Sequence, residues 1–133
     1  MATFFLDRGL GAHIVPEGLR ALGWDVITMD ERYGVERSQE IADADWIRDA
    51  SERGECILTK DAAIARRPAE AQVVYACAAR VFTIKNARIT GPQMLGLIVD
   101  HADEIQRLAD RAEGPYVMGL RVGGIERLRL AFP

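Results

Sequence analysis

Residues 56–61 read CILTKD, a short apolar run, Cys56 to Thr59, closed by Lys60 and Asp61. A run of this length with no polar alternation reads as a strand covered on both faces, the habit of parallel sheets. The same pattern recurs upstream as Thr3–Leu6 ending in Asp7, and downstream as Val81–Ile84 ending in Lys85 and Asn86. Trp24 to Met29 supplies a further strand. Helical stretches separate the strands. Pro16 opens one, with Leu19 and Leu22 on its apolar face and Gly23 as its stop. Ala44 to Arg53 is another, presenting Trp46, Ile47 and Ala50 on one side, and residues 68–79 form a third. Asp30 to Glu40 is polar and contains Gly34, so it reads as a loop, and 62–67 as a loop or short turn. Thr90 caps a long helix over about 91–112, with Met94, Leu97, Ile98, His101, Ile105 and Leu108 inward. The tail alternates through Tyr116, Met118, Leu120 and Val122, turns at Gly123-Gly124, and continues with Leu128, Leu130 and Phe132, a hairpin over about 115–132. Alternating strands and helices predict an α/β fold with a mostly parallel sheet, in one domain spanning 1–133.

Composition excludes several function classes. With 49% hydrophobic and 28% charged residues, the 133-residue chain can bury a core and is not a disordered polyampholyte. No apolar run approaches the roughly 18–20 residues of a membrane span. The opening MATFFLDRGL lacks a basic n-region and meets Asp7, so no signal peptide is expected, and the sparse cysteine usage makes a cytoplasmic location the expected one. Cys56 and Cys77 lie 21 positions apart without a CxxC, which excludes a disulfide scaffold. Ser38 and Ser51 are the only serines and neither sits in a GxSxG elbow. The net charge of −3 does not mark a nucleic-acid binder, but its distribution is uneven. Residues 30–55 hold nine acids against four arginines, and residues 60–88 hold six bases against two acids. An acidic segment beside a basic one suits a cation site next to a polyanion track; two solvated faces would give the same count.

The crevice of an open parallel sheet lies at the carboxyl ends of its strands. Asp7, Lys60 with Asp61, and Lys85 with Asn86 stand there, and Asp43 and Asp45 at a helix start face the same edge. Carboxylates brought together resist joint ionisation unless a cation compensates them. Oxygen ligands without a histidine or cysteine partner select Mg²⁺ or Mn²⁺. Such an ion can assist phosphodiester cleavage while the basic segment holds the backbone. Each residue also has a plainer role. Asp7 can cap a turn, Asp43 a helix, and Asp45 can favour the helix dipole. Asp61 and Asn86 are common turn residues, and Arg66 and Arg67 can be solvated surface. Asp43 and Asp45, two apart on a helix, cannot both point the same way. His101, Trp24 and Trp46 read as core.

The order FFLDRGL, GLRALGWDVITM, IADADWI, CILTKDAAI and RVFTIKNARITG over roughly residues 4–91 resembles the PIN-like ribonucleases, in particular the VapC-type toxins of toxin–antitoxin pairs. The resemblance implies a three-layer sandwich with helices flanking the sheet, an acidic Mg²⁺ or Mn²⁺ site, cleavage of RNA, and neutralisation by a small cognate antitoxin of the VapB type. It assigns the metal and the chemistry to Asp7, Asp43 and Asp61, with Asp45 at a position often acidic in the subgroup. Lys60, or an arginine of the pair Arg66 and Arg67, would stabilise transition-state charge; Arg66, Arg67, Lys85 and Asn86 would hold substrate. The chain is short between Asp7 and Asp61 and carries Asn86 where a fourth acid is expected. A homodimer is left open. The competing readings are a receiver-like phosphoacceptor module and a non-catalytic binding protein with strand-end acids. Against the former, Asp7 is followed by Arg8 and Gly9 rather than by a second acid.

Overall fold

The computed structural model describes residues 2–86 and 88–131. The chain begins with strand β1 (Thr3–Leu6), helix α1 (Ile14–Ala21) and strand β2 (Asp25–Thr28). Two short helices follow, α2 (Met29–Tyr33) and α3 (Val35–Ser38), and then α4 (Asp43–Glu52), β3 (Cys56–Thr59), α5 (Pro68–Ala76) and β4 (Arg80–Ile84). The chain continues through α6 (Gly91–Asp100), α7 (Ala102–Arg111), β5 (Tyr116–Arg121) and β6 (Gly124–Leu128). The sheet runs β2-β1-β3-β4-β5-β6. Its first five strands are parallel and β6 returns antiparallel to β5.

Side-chain alternation splits the apolar residues of the sheet between two cores. Phe4, Leu6, Leu58, Phe82 and Ile84 pack against α1, α6 and α7 through Val15, Leu19, Met94, Ile98, Ile105 and Ala109. Phe5, Ile57, Val81 and Val117 pack on the opposite face against α2, α4 and α5 through Met29, Trp46, Ile47, Ala50, Val73 and Val74. The result is the expected three-layer sandwich with a C-terminal antiparallel strand pair.

The sheet grows in opposite directions from its middle. The connection from β1 leads to β2 on one side, whereas β3, β4, β5 and β6 are added on the other. The order therefore reverses between β1 and β3, and the crevice of such a sheet opens at the carboxyl ends of those two strands.

Several expectations are corrected. The polar segment 30–40 is mostly helical rather than a loop. Its start is a capping box: Thr28 Oγ1 accepts from the Glu31 amide at 3.1 Å, and Glu31 Oε1 accepts from the Thr28 amide at 2.8 Å. The single helix over 91–112 is two helices, broken at His101, where φ −109° and ψ 13° leave the helical region. The His101 ring contacts the Arg121 carbonyl at 2.8 Å instead of facing the core alone. Leu22 lies past the end of α1 and is 54% exposed, and Val122 sits in the β5–β6 turn, 90% exposed, rather than on a buried arm. Phe132 lies outside the described residues.

The Glu31 carboxylate also receives Arg20 at 2.6 Å, tying α1 to the start of α2. Thr28→Ala removes the cap and is expected to lower the unfolding free energy by about 1 kcal/mol. A urea titration checks this: the midpoint should fall with an unchanged slope.

Candidate functional site

The register of β1 with β3 pairs Leu6 with Leu58, and the ladder continues one residue further, where the Asp7 amide donates to the Leu58 carbonyl at 3.0 Å. Asp7 is thereby set beside Thr59. The Thr59 hydroxyl donates to Asp7 Oδ2 at 2.8 Å, and its oxygen accepts the Asp61 amide at 3.0 Å. Thr59 is 1% exposed, so this hydroxyl is a fixed bridge between the two strand ends. Asp61 Oδ1 in turn accepts the Ala63 amide at 3.0 Å, which caps the 3-10 turn Ala62–Ala65.

Asp43 reaches the same place from α4. It is the first residue of that helix, and the cap position expected for it belongs to Ala42. Its side chain is thus free of the helix amides. Asp43 Oδ1 accepts Trp46 Nε1 at 3.0 Å, and Oδ2 accepts Arg67 Nη2 at 3.2 Å. The same Arg67 nitrogen donates to Asp61 Oδ2 at 2.5 Å, and Arg67 Nε donates to Glu70 Oε1 at 2.9 Å. One chain of contacts therefore runs from Asp7 through Thr59, Asp61 and Arg67 to Asp43 and Trp46. Residues distant in the sequence share one rim at the point where the strand order reverses.

The electrostatics follow from this crowding. Burial pushes the Asp7 carboxyl above its ordinary range; the Thr59 hydrogen bond opposes that shift, and the Asp43 charge adds to it. The Asp61 hydrogen bond also raises the Arg67 pKa, which here favours the charged form and keeps the guanidinium protonated. Among the described residues no three carboxylate, histidine or cysteine side chains form a ready cage for an ion. The donor chemistry still fits a hard divalent cation, because the acceptor atoms at the rim are oxygens, chiefly those of Asp7, Asp43 and Asp61. Its excess negative charge already draws in a cation, the Arg67 guanidinium.

The other expected residues lie at varying distances from this cluster. Asp45 points outward, 63% exposed, 3.5 Å from Arg48, because successive helix positions diverge. Lys60 follows the end of β3, and its Cβ would lie 3.4 Å from a Cβ placed on Gly9. Arg66 is exposed and precedes Arg67 in the chain. Lys85 crosses Gly119 to pair with Glu126 on β6, and Asn86 Oδ1 accepts the Arg88 amide at 3.0 Å as a turn residue. No hydrogen bond among the described residues joins Lys85 or Asn86 to the acids.

Sequence reasoning missed Asp30. It follows β2 at the same edge of the sheet and lines, with Asp7, Arg8 and Thr28, a cavity of about 190 Å³. The buried Ser38 hydroxyl donates to Asp30, and Arg8 donates to the Ser38 carbonyl, which fixes one wall of that cavity. Its position after a strand end was a usable signal, hidden by reading the segment as a loop. Trp46 is core as expected, but its indole N–H also anchors Asp43.

Residues 2–86 match the family described as PIN like domain. The chain is 35% identical over 124 residues to "Putative ribonuclease VapC45" of Mycobacterium tuberculosis (strain ATCC 25618 / H37Rv), covering 93% of this chain and 89% of the relative. No solved structure gives a significant match. The fold, the extent of the family match and the identity across nearly the whole length agree: the chain belongs to the PIN-like domain family.

Proposed function

We propose that this protein is a metal-dependent endoribonuclease of the VapC type, a toxin held in check by a cognate VapB-like antitoxin. The observation that carries the reading is the meeting of Asp7, Asp43 and Asp61 at the sheet's reversal point, bound into one hydrogen-bonded rim. The name of the mycobacterial relative, a ribonuclease, points the same way.

In this reading Asp7, Asp43 and Asp61 hold Mg²⁺ or Mn²⁺. The ion would lower the pKa of a water and offset charge on the phosphodiester. Thr59 and Trp46 keep Asp7 and Asp43 in place, so little reorganisation is needed when charge develops. Lys60, just past the end of β3, would supply a compact positive charge, and the exposed Arg66 would meet the RNA backbone. Lys85 would join that contact only on leaving Glu126, and Asn86 is already engaged by the Arg88 amide.

The test is RNA cleavage with Mg²⁺ or Mn²⁺, with EDTA, and with Asp61→Asn. Activity is expected to need the ion and to fall at least about a hundredfold in the variant, the usual scale for losing a charge-stabilising group. Full cleavage in EDTA would overturn the reading.

A further inference from the structure

We propose that Arg67 is an internal occupant of the cation site, so that loading of the divalent ion and release of the Arg67 arm are one coupled event. The inference rests on the nuclease reading above and deepens it.

The oxygen accounting at the rim carries it. Asp43 Oδ1 is held by the Trp46 indole and Asp61 Oδ1 by the Ala63 amide. Each carboxylate is thereby oriented by a donor of the fold, and its remaining oxygen, Oδ2, turns toward a common point. A single nitrogen, Arg67 Nη2, fills that point and donates to both. One positive centre between two carboxylate oxygens from separate elements is the arrangement a divalent ion would otherwise satisfy. Two cations cannot share the space, because like charges at such separation repel strongly.

The backbone under the arm is pinned. Arg67 caps α5, Pro68 follows at the first helical position, and the Arg67 amide donates to the Ala63 carbonyl at 2.9 Å. The side chain is 42% exposed, so it can swing into solvent without unpacking the core. Glu70, the third partner, steadies the guanidinium through Nε in the bridging pose. In the ion-free protein the arm relieves repulsion between Asp43 and Asp61. Displaced by the ion, the freed guanidinium faces the mouth of the site, where a phosphate would lie. An ammonium in its place would lack the fork that reaches Glu70 and the acids together.

The experiment is Mn²⁺ binding to the full chain, with free Mn²⁺ read by electron paramagnetic resonance, for the wild type, Arg67→Gln, Arg67→Lys and Asp61→Asn. Arg67→Gln is expected to bind Mn²⁺ at least tenfold more tightly than the wild type, and Asp61→Asn to lose binding. Arg67→Lys should give a smaller gain, about threefold, and serves if the glutamine variant does not fold by circular dichroism. In the wild type, titration with Mg²⁺ should shift the Arg67 side-chain N–H signal in nitrogen NMR, as the guanidinium leaves its carboxylates. Equal or weaker Mn²⁺ binding by folded Arg67 variants, with binding still lost in Asp61→Asn, overturns the role of Arg67 and leaves the nuclease reading standing. Failure of the wild type and both Arg67 variants to bind Mn²⁺, or undiminished binding by Asp61→Asn, overturns both.

Discussion

Asp7→Asn is expected to lower RNA cleavage at least about a hundredfold and, at neutral pH, to raise the melting temperature. The two effects share one cause. The Asp7 carboxyl is half-buried and feels the Asp43 charge, and its pKa in the folded protein lies above the ordinary value of 3.8. A raised carboxyl pKa means that the native state holds the proton more firmly than the unfolded chain does. The stabilising contribution is therefore complete below 3.8, and it is lost as pH rises through the higher folded value. At pH 7 the ionised form is the one the fold tolerates least. Asparagine is neutral at every pH, and its side-chain carbonyl can still accept the Thr59 hydrogen bond. Thermal unfolding in EDTA should show the variant ahead of the wild type at neutral pH, with the gap closing as pH falls toward the ordinary carboxylate range. A gap that does not change with pH, or retained cleavage, would contradict the argument. The outcome would show stability given up at this position for function, as strained or poorly solvated groups at active sites commonly do.

How much of this was legible follows from where the signal resides. The apolar runs TFFL, CILT and VFTI announced β1, β3 and β4 because they are too short for a buried helix and each is closed by a polar residue, as strands buried on both faces are. The rim was legible because strand ends of a parallel sheet must converge. Asp7 and Asp61 are fixed by the register of β1 and β3. What was not legible depends on contacts between segments. Residues 30–40 looked like a loop because their polarity hides a helix held by the Thr28–Glu31 box and by partners elsewhere. The T-x-x-E spacing was there to be read; the buried Ser38 on Asp30 was not. The break at His101 left no proline or glycine as a warning. Choosing between Asp43 and Asp45 required knowing which way α4 rolls, and Trp46 decides that by burying beneath Phe5, 5.7 Å between ring centroids. The role of Arg67 could not be seen along the chain at all, because it depends on two acids that come from different elements.

Glu55→Ala is expected to destabilise the fold by about 3–5 kcal/mol. Glu55 precedes β3, and its two oxygens accept both arms of the Arg32 guanidinium on α2, at 2.6 and 2.5 Å. The side chains of the pair are only 7% and 8% exposed, and the guanidinium also lies 4.9 Å from the centroid of the Phe5 ring. Truncating Glu55 leaves a guanidinium that cannot lose its charge in a place water barely reaches. The cost is therefore that of an unpaired buried charge rather than that of a missing surface contact, which would be below about 1 kcal/mol. Arg32→Ala is expected to be costly as well, since it strips Glu55 of both donors and uncovers Phe5. The double replacement Arg32→Met with Glu55→Leu should recover most of the loss, because apolar groups of similar volume avoid desolvation altogether. Urea denaturation of the two single variants and the double variant closes a cycle whose coupling energy measures the interaction. If Glu55→Ala costs less than about 1 kcal/mol, the pair is effectively solvated and the argument fails. The consequence reaches the rim, since α2 also carries Asp30 to the cavity it shares with Asp7. Loosening α2 in Glu55→Ala should lower cleavage even where the protein remains folded, and the double variant should restore it along with stability.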